Sequence, residues 1–210
     1  MSSVSFHIAK QNTRELEGGY WLDPSAGHTY AGITYKFFPS WKGWPVLFQL
    51  ARQRFGNRPI PRYTVFQNIQ LDNHISEFYR VNFWEKVMNG NLFKNQVIAN
   101  FIYDFLVHKK FDAVAVVNHT ARSLGPRVVT NPTRITPEVI TLANTFQGAF
   151  YNRLRANRES YYRNPRSIPG TREKPFSAPL VSAFIRDRVN KFPATIQPNF
   201  EINLFKTIWA

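Results

Sequence analysis

The chain has 210 residues, of which 43% are hydrophobic and 16% aromatic, so a packed core is expected and a disordered chain is excluded. It contains no cysteine, which excludes a disulfide scaffold and a cysteine-based zinc site. The formal net charge of +14 predicts an anionic partner, such as nucleic acid, anionic lipid or a cell-wall polymer.

The histidines show no HExxH motif and no other close pair with metal-ligand spacing, so we expect no metal ion, no zinc peptidase or amidase, and no cofactor. The first ten residues are polar and lack the apolar core of a secretory signal, so none is expected. Apolar runs are too short to span a bilayer, so a membrane span is not expected.

The first predicted element is a helix that leads to Glu17. Phe6, Ala9, Thr13 and Leu16 recur at helical spacing. Gly18-Gly19 is typical of a helix end, because glycine adopts the left-handed conformation without strain. The negative end of the helix dipole and partial burial both favour a protonated carboxyl group, which is what a general acid requires.

A short hairpin is predicted to follow this helix. Residues 20–22 have strand character, Asp23-Pro24-Ser25-Ala26-Gly27 is typical of a turn, and residues 29–35 form the returning strand. This hairpin would bring Asp23 and Thr29 towards Glu17. A carboxylic acid facing a second carboxylate is the arrangement that hydrolysis of a glycosidic bond uses.

The remainder of the chain is predicted to be mainly helical. The apolar run 97–107 is expected to be a buried central helix, and its single acid, Asp104, is expected to bond to the backbone or to Arg80. Further helices are predicted over residues 45–55, 73–88 with Asp72 as N-cap, 111–124, 136–162 and 177–192, with a packed strand or extension in the tail from residue 193 to residue 210.

Two sets of motifs resemble the glycoside hydrolase family 108 lysozymes, which are phage- and bacteria-encoded N-acetylmuramidases. The first is Glu17-Gly18-Gly19-Tyr20 with the Asp23 turn and the strand Thr29-x-x-Gly32-Ile33-Thr34. The second lies within residues 75–104 and contains Phe78-Tyr79-Arg80, Phe83-Trp84 and Asp104-Phe105. The resemblance extends over roughly residues 10–125.

This resemblance implies a mainly α, α+β lysozyme-like fold, in which a helical bundle carries one small β-hairpin beside the catalytic helix end. Residues 1–125 would form the catalytic domain, and residues 126–210 a basic helical region that binds peptidoglycan and packs on the first domain. The implied activity is cleavage of the β-1,4 bond between N-acetylmuramic acid and N-acetylglucosamine. Glu17 would donate the proton, while Asp23 and Thr29 would hold the attacking water.

Aromatic residues near these motifs are candidates for contacts with the sugar. Trp41, Trp44 and Tyr30 are predicted stacking platforms at the rim of a groove, and Tyr20 and His28 are predicted substrate contacts within the hairpin. The alternative for the tryptophans and tyrosines is ordinary packing in the core, and for His28 it is a surface position.

The sequence is also compatible with other functions. A lytic transglycosylase needs one acid and no held water, and a virion or wall-binding protein would keep the fold without turnover. A nucleic-acid binder would explain the charge, but the sequence contains no recognition motif for one. Without a secretory signal, the enzyme is expected in the host cytoplasm before holin-type release to the wall, or in a phage particle. The sequence does not predict an oligomeric state.

Overall fold

The computed structural model describes residues 4–14 and 18–196 of the chain. These form two compact units, one of residues 13–82 and one of residues 4–12 with 83–196. The described residues are mostly helical and include one three-stranded antiparallel sheet. The predicted mainly α architecture with a small β-hairpin is therefore confirmed.

Helix α1 spans Phe6–Arg14. Ala9 and Thr13, two members of the predicted stripe, are almost completely buried. The predicted helix is therefore confirmed as far as Arg14. Leu16 and Glu17, at its predicted end, lie outside the described residues.

The unit of residues 13–82 consists of a sheet followed by two helices. Strands β1 (Trp21–Asp23), β2 (Gly27–Tyr30) and β3 (Ile33–Thr34) pair in that order. Helices α2 (Gly43–Phe55) and α3 (Ile69–Tyr79) pack against each other. Their contact buries an apolar and aromatic cluster that includes Trp41, Trp44, Leu47, Leu71 and Phe78.

The start of α3 differs from the prediction. Asn68, rather than Asp72, is the N-cap, because its side chain accepts a hydrogen bond of 2.9 Å from the backbone N–H of Leu71. Asp72 lies in the first helical turn instead, where a carboxylate still interacts favourably with the helix dipole. A π-helical segment, Arg80–Met88, continues directly from α3.

The other unit contains helices α4 (Gln96–Leu124), α5 (Pro137–Thr145), α6 (Gln147–Arg163) and α7 (Ala178–Phe184). Helix α4 unites the two predicted helices 97–107 and 111–124 across a local break at Lys109. The predicted start at Thr136 is confirmed, because its hydroxyl accepts a hydrogen bond from Val139 N–H.

Residues beyond 125 complete the core around α4. Phe101 and Phe105 of α4 contact Tyr151 and Tyr161 of α6, each with ring centroids 5.4 Å apart. The buried face of α4 thus has α6 as its partner within one unit. The predicted domain boundary near residue 125 stays a prediction.

Within the described segments, none of the helices is both long and apolar enough to cross a bilayer. The predicted strand or extension in the tail lies mostly outside the described residues, which end at residue 196.

Candidate active site

The hairpin aligns Asp23 and Thr29 on one face. In the β1–β2 register, Asp23 lies opposite Gly27 and Trp21 lies opposite Thr29. Directly paired residues point to the same side of a sheet, and alternate residues along a strand share a side. Trp21, Asp23 and Thr29 therefore share one face, with Asp23 and Thr29 as diagonal neighbours. Gly27 adds no side chain between them, and a Cβ built there meets no atom within 4 Å.

One oxygen of the Asp23 carboxylate is held by its own turn. Oδ1 accepts hydrogen bonds from Ser25 N–H (2.7 Å), the Ser25 hydroxyl (2.7 Å) and Ala26 N–H (2.8 Å). The Ser25 side-chain hydrogen bond, followed by those from the two backbone N–H groups, lowers the pKa of Asp23 to about 2. Asp23 is therefore a carboxylate at neutral pH, oriented by its turn.

Among the described residues, the Thr29 hydroxyl has only a weak partner. Its Oγ1 lies 3.4 Å from the Gly27 carbonyl oxygen, which is long for an O–H···O hydrogen bond. The side chain is partly exposed. Its hydroxyl can therefore hydrogen-bond a water or a ligand on the Asp23 face.

The two glycines that precede the hairpin have different roles. Gly18 has a φ of 65°, in the left-handed region that the predicted helix end requires. Gly19 permits a close approach, because a Cβ there would lie 2.6 Å from the carbonyl oxygens of Tyr63 and Thr64. The 63–64 segment pairs with Tyr20 through Tyr20 N–H to Thr64 O (2.8 Å) and Tyr63 N–H to Tyr20 O (2.7 Å).

Glu17, the predicted general acid, lies outside the described residues. Gly19 and Tyr20, which follow Gly18, lie against the 63–64 segment. Glu17 is three residues before Tyr20 and six before Asp23 in the sequence. Its role as the general acid stays a prediction.

Tyr20 and His28 lie on the opposite face of the hairpin from Asp23. The Tyr20 hydroxyl and His28 Nδ1 are 2.6 Å apart, and burial raises the pKa of Tyr20. The His28 ring packs edge-on against Phe48, with centroids 4.9 Å apart. The structure gives Tyr20 and His28 packing contacts on this face of the hairpin, and the substrate contacts predicted for them stay a prediction.

The predicted stacking rings also differ from expectation. Tyr30, Trp41 and Trp44 are 3%, 8% and 2% exposed, so they offer no free ring face to a sugar. Phe66 N–H donates to the Tyr30 hydroxyl, and the two tryptophan indole N–H groups donate to backbone carbonyls. Amphipathic aromatics with a satisfied polar atom are typical of a core. These three rings are therefore part of the core of this unit.

A partly exposed aromatic group near the Asp23 face was not predicted from the sequence. It consists of Trp21, Arg62 and Tyr63, with the guanidinium of Arg62 3.4 Å from the Trp21 ring centroid. These residues are about forty positions apart, and no local pattern connects them. The sequence feature that could have indicated this group is the Arg62-Tyr63 pair directly after the proline-rich break.

No cluster of three or more His, Asp or Glu side chains within the described segments is arranged to hold a metal ion. The hairpin face instead offers a carboxylate, a hydroxyl and aromatic surface. These are groups that can orient water and a polar ligand with a carbohydrate-like surface.

Sequence comparison with known protein families indicates the class of enzymes that hydrolyse glycosidic bonds. The matching family is Glycosyl hydrolase 108, whose sequence model covers residues 10–109. The resemblance inferred from the motifs is thus confirmed over that segment, and it supports a glycoside hydrolase. The matched segment includes the whole hairpin and the Glu17-Gly18-Gly19-Tyr20 motif.

Among solved structures, SagA of Brucella abortus is similar, with 18% sequence identity and a TM-score of 0.49. The alignment covers 88% of this chain and 92% of that chain. None of the curated proteins matches this chain.

Proposed function

We propose that this protein is a peptidoglycan hydrolase, an N-acetylmuramidase that cleaves the β-1,4 bond between N-acetylmuramic acid and N-acetylglucosamine. The observation that carries the proposal is the shared face of Asp23 and Thr29, in a segment that the Glycosyl hydrolase 108 model matches. The strongly basic chain also suits an anionic wall polymer.

In this mechanism Glu17 donates a proton to the leaving glycosidic oxygen. Asp23 and Thr29 hold the water that attacks the sugar carbon from the opposite side. A carboxylate with a pKa of about 2 is a weak base, so Asp23 contributes charge and orientation as the oxocarbenium-like transition state develops. The attacking water becomes strongly acidic as its bond to the sugar carbon forms, so even this weak base accepts the proton late in the step and releases it to solvent.

This arrangement favours inversion at the anomeric carbon, because the water attacks the face opposite the leaving group. The expected first product is the α-anomer, which NMR can detect before mutarotation. A β-anomeric first product would instead indicate a retaining mechanism.

The assignment of Glu17 is tested by clearing of purified peptidoglycan with Glu17→Gln, which keeps the side chain's shape and removes its proton-donating acid. Loss of a general acid is expected to slow turnover by about 10²–10⁴-fold. Glu138→Gln is the matched control, because Glu138 is an exposed residue of the first turn of α5 in the other unit. Wild-type activity in Glu17→Gln would refute the assignment.

A lytic transglycosylase is the second candidate, and the Asp23 turn is the observation that favours it. Three hydrogen bonds to Oδ1 give Asp23 a structural role that needs no catalytic one. Asp23→Asn keeps the acceptor oxygen for the turn and removes the charge. A muramidase should then lose most activity, whereas a transglycosylase should keep it and release anhydromuramic products lighter by one water.

A further inference from the structure

The group formed by Trp21, Arg62 and Tyr63, here called the Arg62 stack, lies beside the proposed water-holding face. The guanidinium carbon of Arg62 is 3.4 Å from the Trp21 ring centroid and 4.6 Å from that of Tyr63. The two rings are nearly parallel, at 19°, with centroids 6.5 Å apart. Aromatic rings on both sides orient a guanidinium and leave its in-plane N–H groups available.

The position of the Arg62 stack follows from the strand register. Trp21 lies opposite Thr29 in the β1–β2 pair, and so its ring is on the same face as Thr29 and Asp23. On the other side of β1, the 63–64 segment is hydrogen-bonded to Tyr20. The stack therefore extends the Asp23–Thr29 face outwards across β1.

The local conformation holds Tyr63 in an exposed and strained position. Tyr63 has a φ of 64°, a left-handed conformation that is rare for a bulky residue, and 65% of its surface is exposed. The Thr64 hydroxyl, which donates to Pro61 O at 2.7 Å, and the two backbone bonds to Tyr20 hold the turn. Strain of this kind is characteristic of residues that are held for contact with a ligand.

Arg62 is exposed, and within the described segments no carboxylate forms an ion pair with it. Exposed arginines elsewhere in the described chain, such as Arg163 and Arg186, do pair with neighbouring acids. The fork of N–H donors on Arg62 thus faces solvent in a fixed orientation, which matches the two oxygens of a carboxylate.

We propose that Arg62 binds a carboxylate carried by the muramic acid substituent of the glycan strand, and so determines specificity for peptidoglycan over neutral glycans. This inference rests on the proposed function and extends it to substrate recognition. The carboxylate has two sources: the stem peptide, or the free lactyl group where the peptide has been removed. The Trp21 and Tyr63 rings would contact the sugar or the substituent beside the guanidinium.

The test compares Arg62→Met, which keeps an apolar chain of similar length between the rings, with Arg52→Met as a matched control. Arg52 is an exposed arginine of α2 in the same unit, so its substitution removes the same charge. Binding and KM would be measured on glycan strands with stem peptides, on peptide-free strands with free lactyl groups, and on N-acetylglucosamine oligomers without carboxylates.

Arg62→Met is expected to weaken binding of at least one carboxylate-bearing glycan by about tenfold or more, as for loss of a bidentate charged contact. The affected glycan identifies the carboxylate, as stem peptide or lactyl group. Arg52→Met should change binding by less than about threefold, and N-acetylglucosamine oligomers should bind both variants equally. Equal losses in Arg62→Met and Arg52→Met, or equal losses on all three glycans, would overturn the proposal, as would a wild-type protein that binds none of them.

Thermal unfolding of each variant checks that the turn persists. If Arg62→Met unfolds, Arg62→Lys provides the test, because it keeps the charge and loses the planar fork. An unchanged affinity in Arg62→Lys would then overturn the proposal. Carboxylate-dependent binding without any cleavage of peptidoglycan would contradict the proposed function alone, whereas cleavage that is indifferent to Arg62 would contradict this inference alone.

Discussion

Asp104 and Arg158 form an ion pair that is completely excluded from solvent, with Arg158 Nη2 2.5 Å from Asp104 Oδ2. Lys191 Nζ lies 2.5 Å from the other carboxylate oxygen, and Arg188 Nη1 is 3.8 Å from it. Three basic residues of the C-terminal region are therefore committed to one buried carboxylate. These three charges are therefore balanced locally, which reduces their contribution to attraction to the wall polymer proposed as the substrate.

The first prediction concerns this cluster. Asp104→Ala would leave Arg158, Arg188 and Lys191 without their shared carboxylate, and is expected to lower the free energy of unfolding by about 3–5 kcal/mol. Urea denaturation at neutral pH measures the change. Asp187→Ala is the control, because Asp187 pairs with Arg186 on the surface and its loss should change stability far less. Equal effects of the two substitutions would contradict a structural role for Asp104.

The sequence predicted a bonded, structural Asp104 but named the wrong partner. A single acid in an apolar run requires a cation or backbone donors, and this requirement can be inferred from the local sequence alone. Arg80 was the predicted cation, whereas Arg158 from α6 is the one found, and Arg80 pairs with Glu77 instead. The choice depends on which helices pack together, and that information is spread over more than fifty residues.

The hairpin could be predicted because its signals are local. Turn residues between two short strands place Asp23 and Thr29 on paired strands, and the register then fixes their common face. Exposure of the aromatic residues could not be predicted in the same way. Trp41 and Trp44 lie close in sequence to the hairpin, but packing of α2 on α3 buries them, whereas the distant Tyr63 is 65% exposed.

The second prediction separates the roles of the two motif glycines. Gly19→Ala would put a Cβ 2.6 Å from two carbonyl oxygens of the 63–64 segment, so the backbone must move apart. We expect a loss of about 1–3 kcal/mol of stability and a loss of activity, since the Arg62 stack moves with that segment. Gly18→Ala meets no atom within 4 Å and is expected to cost about 1 kcal/mol from its left-handed backbone alone.

Thermal melts and peptidoglycan clearing would compare the two alanine variants. A smaller effect at Gly19 than at Gly18 would contradict the close approach as the reason for the second glycine.

The third prediction concerns the pKa of Asp23. The Ser25 hydroxyl is the largest cause of its low value, so Ser25→Ala should raise the pKa of Asp23 from about 2 towards 3.8. Because the folded pKa is depressed, the turn is stabilised by the carboxylate above the unfolded pKa and loses that contribution as pH falls through about 2. NMR titration of the Asp23 carboxyl carbon in both proteins measures the shift. A wild-type Asp23 that titrates at its ordinary value would contradict the turn geometry.

The last prediction concerns His108, whose Nδ1 lies 3.0 Å from the Tyr162 hydroxyl and whose ring packs on Phe184 with centroids 4.6 Å apart. Burial, followed by the nearby charges of Arg188, Arg158, Lys109 and Lys191, lowers the pKa of His108 to about 2. Its unfolded pKa is near 6.5, so below that value the unfolded chain binds a proton that the folded chain does not. Stability must therefore fall as pH decreases from about 6.5 towards about 2.

His108→Asn removes this titration and keeps a side-chain acceptor for the tyrosine hydroxyl. Between about pH 6 and about pH 4, the wild-type protein is expected to lose about 2–3 kcal/mol more stability than the variant does. Urea denaturation at the two pH values measures the difference, and carboxyl groups common to both proteins cancel in the comparison. His119→Asn, which changes another histidine of α4, serves as the control substitution. Parallel pH profiles for wild type and His108→Asn would mean that His108 binds its proton as readily in the folded protein as in the unfolded chain.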